Sequence, residues 1–251
     1  MEPQRSDLYG GKDPRLLPAY SVEDVARYLW LPVSTLKNWV FGSEWREGSS
    51  GRDRIYTRVI VPPESHSREL SFVNLIEAHV LSAIRRVHHI QMKMVREALT
   101  ILKQDFQSEH PLAEIDLYTE GQNLFVTKYG QLVNLNRGKQ IEIEQVMSTY
   151  LRRIERDEKS MAARLYPFSR EPRLKGPGIE EQSKLVSIDP YVSFGRPVIV
   201  GSNIRTEIIA ERFFAGDSMD DLVTDYRLSK TEIEEAVRYE RPRQIVVEAT
   251  A

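Results

Sequence analysis

The chain of 251 residues contains no cysteine. That absence excludes disulfides, iron–sulfur clusters, thiolate zinc sites and thiol catalysis. No apolar run approaches the ~20 residues that a membrane helix needs. The opening residues, Met1-Glu2-Pro3-Gln4-Arg5-Ser6-Asp7, lack the apolar core of a signal peptide. The expectation is a cytoplasmic chain without membrane contact. Net charge is scarce as well: 35 Lys and Arg stand against 37 Asp and Glu, for −2. The whole-chain sum therefore selects no partner. Four enzyme signatures are absent: G-x-x-x-x-G-K-[ST], G-x-G-x-x-G, G-x-S-x-G and H-E-x-x-H. No histidine–carboxylate set has i, i+4 metal spacing on one helix. Neighbouring acids such as Glu180-Glu181 and Asp220-Asp221 suit helix capping better than acid–base work. We expect no catalytic residues, no metal, no cofactor and no enzyme.

Hydrophobic residues make up 41% of the chain, enough for packed cores. The length exceeds one average domain. Charge is unevenly spread: residues 71–170 carry 14 bases and 12 acids, residues 171–251 carry 11 and 15. The acidic end suits a protein partner, and any nucleic-acid surface must be a local patch.

From Tyr20 the sequence becomes organised. Ser21 and Asp24 form an S-x-x-D cap, and Val22, Val25, Ala26 and Leu29 follow at helical spacing. Trp30-Leu31-Pro32-Val33 reads as a turn. Ser34-Thr35 opens a second short helix to about Phe41, with Val33, Leu36, Trp39 and Val40 inward. Helix, turn, helix is the spacing of a helix-turn-helix. Glycines and serines at 48–51 mark a hairpin tip. Beyond it Arg52, Arg54 and Arg58 alternate along a strand, as in a basic wing. Ser71 caps a long helix striped by Phe72, Ile76, Val80, Ala83 and Val87. A second helix starts near Gln91. Short strands are expected at 115–118, 123–127 and 131–134, then a helix from 142 to 158. Residues 166–186, with three prolines and two glycines, form the linker candidate. After it, Thr206 caps a helix stopping at Gly216, and Ser218/Asp221 and Ser229/Glu232 cap two more.

This predicts a mainly α protein with small β elements in three parts. Residues 1–68 form a winged helix-turn-helix, 69–165 an α+β middle region, and 187–251 a three-helix module. On the second helix Ser34, Thr35, Lys37 and Asn38 would face base edges. Arg52, Arg54 and Arg58 would clamp phosphates. His79 falls on the core stripe.

The C-terminal segment also resembles a known family. Asp189-Pro190, Gly195-Arg196-Pro197-Val198-Ile199, Gly201, Ile204, Ala215-Gly216-Asp217-Ser218, Asp225-Tyr226, Leu228-Ser229 and Ala236 recur in the order and spacing of the DUF433 family. That family resembles antitoxins encoded beside PIN-like toxins. Where it usually has Gly-Thr-Arg-Ile, this chain has Gly201-Ser202-Asn203-Ile204. The N-terminal part resembles VapB-type antitoxins and, more distantly, MerR-like winged helix-turn-helix regulators. The matching residues are Tyr20-Ser21, Ala26-Arg27-Tyr28-Leu29, Leu31-Pro32, Ser34-Thr35-Leu36, Trp39-Val40 and Leu70-Ser71-Phe72 with Leu75-Ile76-Glu77-Ala78-His79. MerR-like turns usually place Gly where this chain has Trp30.

The two resemblances imply a type II antitoxin. It would repress its own operator as a homodimer and neutralise a cognate PIN-like RNase toxin. One of the long helices, within 71–103 or 142–158, would supply the dimer seam. Phe213, Phe214, Arg205 and Arg212 are the candidate toxin contacts. Blocking would bury the toxin's active-site entrance or fill its acidic metal site with a basic side chain, for which Arg205, Arg212, Arg238, Arg241 and Arg243 are the candidate donors. The alternative is a MerR-like effector-sensing regulator binding a small molecule within residues 71–165.

Overall fold

The computed structural model describes residues 7–47, 52–56, 58–64, 68–86, 92–114, 126–127, 129–131, 137–175, 178–179 and 181–241. After two short 3-10 turns, β1 (Tyr20–Ser21) leads into α1 (Val22–Leu29) and α2 (Val33–Phe41). A hairpin follows, β2 (Ser43–Glu47) with β3 (Arg52–Tyr56), and β4 (Glu69–Leu70) returns to pair with β1. Then come α3 (Phe72–Arg86), α4 (Met92–Phe106), α5 (Pro111–Glu114) and α6 (Arg137–Leu151). Short hairpins β5 (Ile154–Arg156) with β6 (Ala162–Leu165) and β7 (Leu174–Lys175) with β8 (Gly178–Ile179) connect onward. The last part is β9 (Val186–Ser187) paired with β10 (Val198–Ile199), then α7 (Thr206–Ala215), α8 (Met219–Tyr226) and α9 (Lys230–Glu240).

The core is built on α3. Every residue from Phe72 to Ile84 is buried, because α1, α5, α6, β4 and β6 surround the helix. A helix apolar on one stripe would need cover on one side only. Here Asn74, Glu77, His79 and Ser82 are drawn inside too, and each finds a partner. His79 Nε2 lies 3.0 Å from the Tyr150 carbonyl oxygen. Burial pushes its pKa down to about 3, so the ring is neutral and belongs to the core stripe as expected. Because its own chain covers α3 all round, α3 cannot supply a dimer seam.

Several local expectations need correction. The helix expected over 142–158 ends at Leu151, and Ile154 belongs to β5. There Arg153 turns inward, which breaks the solvent-facing side of a helix. Of the strands expected over 115–134, the first lies outside the described residues. Residues 126–127 and 129–131 are helical. Val126 and Tyr129 are both buried three residues apart, a helical spacing that a period-two reading misses.

Helix α2 starts at Val33 with Pro32 as its N-cap, not at Ser34-Thr35. Thr206 is the first residue of α7 and not its cap; its hydroxyl donates to Glu240 Oε1 at 2.6 Å. The three helices of the C-terminal module, the stop at Gly216 and the caps at Ser218 and Ser229 stand where the sequence puts them.

The proline-rich stretch 166–186 is anchored where it is described. Arg153 is 3% exposed and its guanidinium donates to the carbonyls of Tyr166, Pro167, Gln182 and Ser183 at 2.6–3.0 Å. Its charge lies over the Phe168 ring, 4.4 Å from the centroid. Burial lowers its pKa to about 10.

Candidate nucleic-acid interface and the module docked behind it

Ser21 opens α1: its Oγ accepts the Asp24 N–H at 3.0 Å. The helix ends at Trp30, which adopts φ 58° and ψ 42°. This is the left-handed conformation that glycine takes most cheaply. Trp30 holds it because its indole Nε1 donates to the Phe168 carbonyl at 2.7 Å. The turn geometry of a glycine is thus kept by a side chain with an anchor.

On α2, Leu36, Trp39 and Val40 are buried, and Val33, Ser34, Lys37, Asn38 and Phe41 are exposed. Three of the four expected base-facing residues therefore share one solvent face. Thr35 does not. It is buried, and its hydroxyl accepts from Arg85 of α3. Val33 takes the outward place instead. Lys37 Nζ lies 3.0 Å from Glu23 of α1, which holds the Glu23 carboxyl below its usual range.

The wing is present as the β2–β3 hairpin, in register from Ser43↔Tyr56 to Glu47↔Arg52. Arg52 and Arg54 fall within β3, two residues apart in sequence, and their side chains lie outside the described residues. Arg58 lies beyond the strand's end and is exposed. The chain returning from the wing is tied to α2: the Val59 and Ile60 N–H groups donate to the Trp39 carbonyl at 2.7 and 3.0 Å.

The C-terminal module packs on the other side of α1. Arg196 Nη1 reaches Asp24 at 3.2 Å and Tyr28 Oη at 3.4 Å. Glu240, at the end of α9, pairs with Arg27. The Tyr239 ring stacks on Tyr28 with centroids 6.3 Å apart. Gly195 has φ +74°, and a Cβ there would collide with the Tyr20 hydroxyl. Gly195-Arg196 of the recurring motif is thus the seat for the helix-turn-helix.

Among the candidate toxin contacts, Phe214 is 53% exposed and Phe213 is packed partly against the core. Arg212 is held by Asp217 at 2.6 Å and Asp225 at 2.7 Å, and Arg205 by Glu207 at 3.0 Å. Two further outward groups carry no signal in the sequence pattern. Arg85 belongs to a helix read only for its apolar stripe. Phe194 is 72% exposed at φ 54°, beside Ser193 at φ 48°. Such strain in consecutive non-glycine residues has no periodic signature. Among the described residues, no group of three or more His, Asp or Glu could hold a metal. In the same residues no helix is long and apolar enough to cross a membrane.

Comparison with known proteins agrees with this two-ended layout. Residues 18–99 match the family model described as "Putative DNA-binding HTH domain". The chain is 27% identical to "Putative antitoxin VapB45" of Mycobacterium tuberculosis over 88% of its own length and 93% of that protein. It is 22% identical to "Uncharacterized protein Rv2308" of the same organism, over 88% and 89%. The crystal structure of Rv2018 from M. tuberculosis has the same fold: TM-score 0.62 at 21% identity, covering 88% of this chain and 98% of that one. At the other end, residues 186–239 match the "Protein of unknown function (DUF433)" model, so the chain resembles a VapB-type antitoxin with a helix-turn-helix in front and a DUF433 module behind.

Proposed function

We propose that this chain is the antitoxin of a type II toxin–antitoxin pair, working in the cytoplasm as a regulator and not as an enzyme. It binds operator DNA as a homodimer through α2 and the wing, represses its own transcription, and neutralises a PIN-like RNase toxin. The observation that carries the reading is the solvent face of α2. Ser34, Lys37 and Asn38 stand together there beside the β2–β3 wing, in a chain similar to an antitoxin over most of its length. Asn pairs bidentately with adenine, and Lys reaches guanine or phosphate. Arg52, Arg54 and Arg58 add sequence-independent phosphate contacts.

The module of residues 187–251 is the toxin-facing part in this reading, with Phe214 as its outward aromatic. A MerR-like sensor would need a chamber in residues 71–165. Similarity to an antitoxin over 88% of the chain weighs for the antitoxin instead.

The test uses the full chain. It is co-expressed with the neighbouring gene, and growth rescue and co-purification are scored. Binding of the purified protein to the DNA upstream of its gene is measured in parallel. Asn38→Ala should cost about 1–3 kcal/mol on that DNA and far less on random sequence. Equal losses on both would remove Asn38 from base reading. Failure to rescue growth would remove the toxin from the account.

A further inference from the structure

A groove of about 440 Å³ opens beside the turn that joins α1 to α2. Its walls include Leu31 and Pro32 of the turn, Arg85 and Arg86 at the end of α3, and Arg173. Three arginines meet there against one acid, Glu171.

The three are not equivalent. Arg86 is a brace: Nε donates to Tyr150 Oη at 2.7 Å, and Nη1 donates to the Pro172 carbonyl at 2.9 Å, with Glu171 3.5 Å away. Arg85 instead donates to the neutral hydroxyl of Thr35. Partial burial, and then the charge of Arg86, both disfavour its charged form. An anion in the groove would relieve that repulsion. Arg173, also lining the groove, is exposed.

The position matters as much as the charge. Thr35, the partner of Arg85, lies in the first turn of α2, one turn before Asn38. Pro32 offers no side-chain acceptor to the first turn of α2. The positive end of that helix adds to the field of the arginines.

We propose that this groove clamps one DNA backbone phosphate flanking the base pair read by Asn38, through Arg85 and Arg173. The inference rests on the DNA-binding reading above. A guanidinium matches phosphate geometry and releases a counterion on contact, so each clamp leaves a mark in the salt dependence.

The experiment titrates the full chain against two fluorescent duplexes across a salt series. One carries the DNA upstream of its gene, and the other has random sequence. Arg173→Ala keeps every contact drawn above, and Arg85→Gln keeps a donor for Thr35. Each should weaken both duplexes alike, by about three- to tenfold, and lower the salt slope by about 1. Lys159→Ala, an exposed change in the β5–β6 turn, should alter neither. Unchanged slopes in both arginine variants, with wild-type binding intact, would overturn the clamp. So would a loss confined to the upstream duplex, which would mean base reading. Wild type failing on both duplexes would instead overturn the DNA reading, and the clamp with it.

A second arm replaces chloride by inorganic phosphate at equal ionic strength. Phosphate should compete with DNA in wild type and less so in Arg173→Ala. If phosphate raises the Tm of wild type alone while the DNA slopes stay untouched, the groove holds a free anion, and the clamp is wrong.

Discussion

In the C-terminal module Arg196, Arg205, Arg212 and Arg238 each pair with a carboxylate of the chain. Around α2 the pattern differs: Arg58 and Arg173 are exposed, and Arg85 faces a neutral hydroxyl. The same residue type therefore has two uses in one molecule. A guanidinium already bonded to a carboxylate must give up that partner before it can serve another anion. One facing water or a hydroxyl loses far less. Recurrence in a motif does not separate the two. Arg196 belongs to the recurring Gly-Arg-Pro step and acts inside the chain, on Asp24 and Tyr28. Arg212 would have to release two aspartates to fill a toxin's metal site.

The strongest way to press this contrast is the buried extreme, Arg153. Arg153→Met would leave four carbonyls, on Tyr166, Pro167, Gln182 and Ser183, without their donor. Unpaired buried acceptors are costly, and the expected loss is about 3–5 kcal/mol. It would be read as a lower urea midpoint at unchanged m-value. A loss under about 1 kcal/mol would show that water replaces the guanidinium, and Arg153 would no longer count as a strut.

A smaller effect is expected where the motif meets α1. Gly195→Ala forces a side chain into a left-handed backbone and against the Tyr20 hydroxyl. The expected cost is about 2–3 kcal/mol. Hydrogen exchange should rise in α1 and α9 together, because Arg196, Tyr239 and Glu240 all reach α1. Faster exchange in α9 alone would mean that α1 keeps its place without the module. The same docking makes removal of residues 187–251 an unclean test of DNA binding. It would uncover Tyr20 and Tyr28, both fully buried.

The legible parts of the fold are those with local causes. The caps at Ser21, Ser218 and Ser229 and the stop at Gly216 all come from short-range chemistry. Thr35 was misplaced because its partner, Arg85, lies fifty residues away in sequence. The 166–186 stretch reads as linker because proline and glycine mark loops, whereas Arg153 holds it by four hydrogen bonds, and Trp30 and Arg86 by one each. Trp30 departs from the expected glycine, and only the Phe168 carbonyl explains how it is tolerated. Of the site itself, the α2 face was legible from spacing. The groove at Arg85, Arg86 and Arg173 was not, since three distant segments build it.

The finest form of the contrast lies between two adjacent side chains. Phe213 and Phe214 point about 100° apart on α7, so one layer of packing cannot cover both. Phe213 leans on the core, while Phe214 is 53% exposed. Their rings meet edge to face, 5.8 Å between centroids. Phe213→Ser should cost about 1–2 kcal/mol of stability through lost apolar burial. Phe214→Ser should change stability by less than about 0.5 kcal/mol. If the module faces the toxin, Phe214→Ser should still weaken toxin co-purification by about tenfold, since exposed aromatics anchor interfaces. Arg212→Ala gives the matching control. Its ion pairs with Asp217 and Asp225 lie at the surface, where such pairs add little, so thermal stability should stay put. Should Arg212→Ala abolish neutralisation while Phe214→Ser leaves it intact, the toxin would be taking the guanidinium away from its aspartates. The division between committed and available arginines would then fail at this end of the molecule.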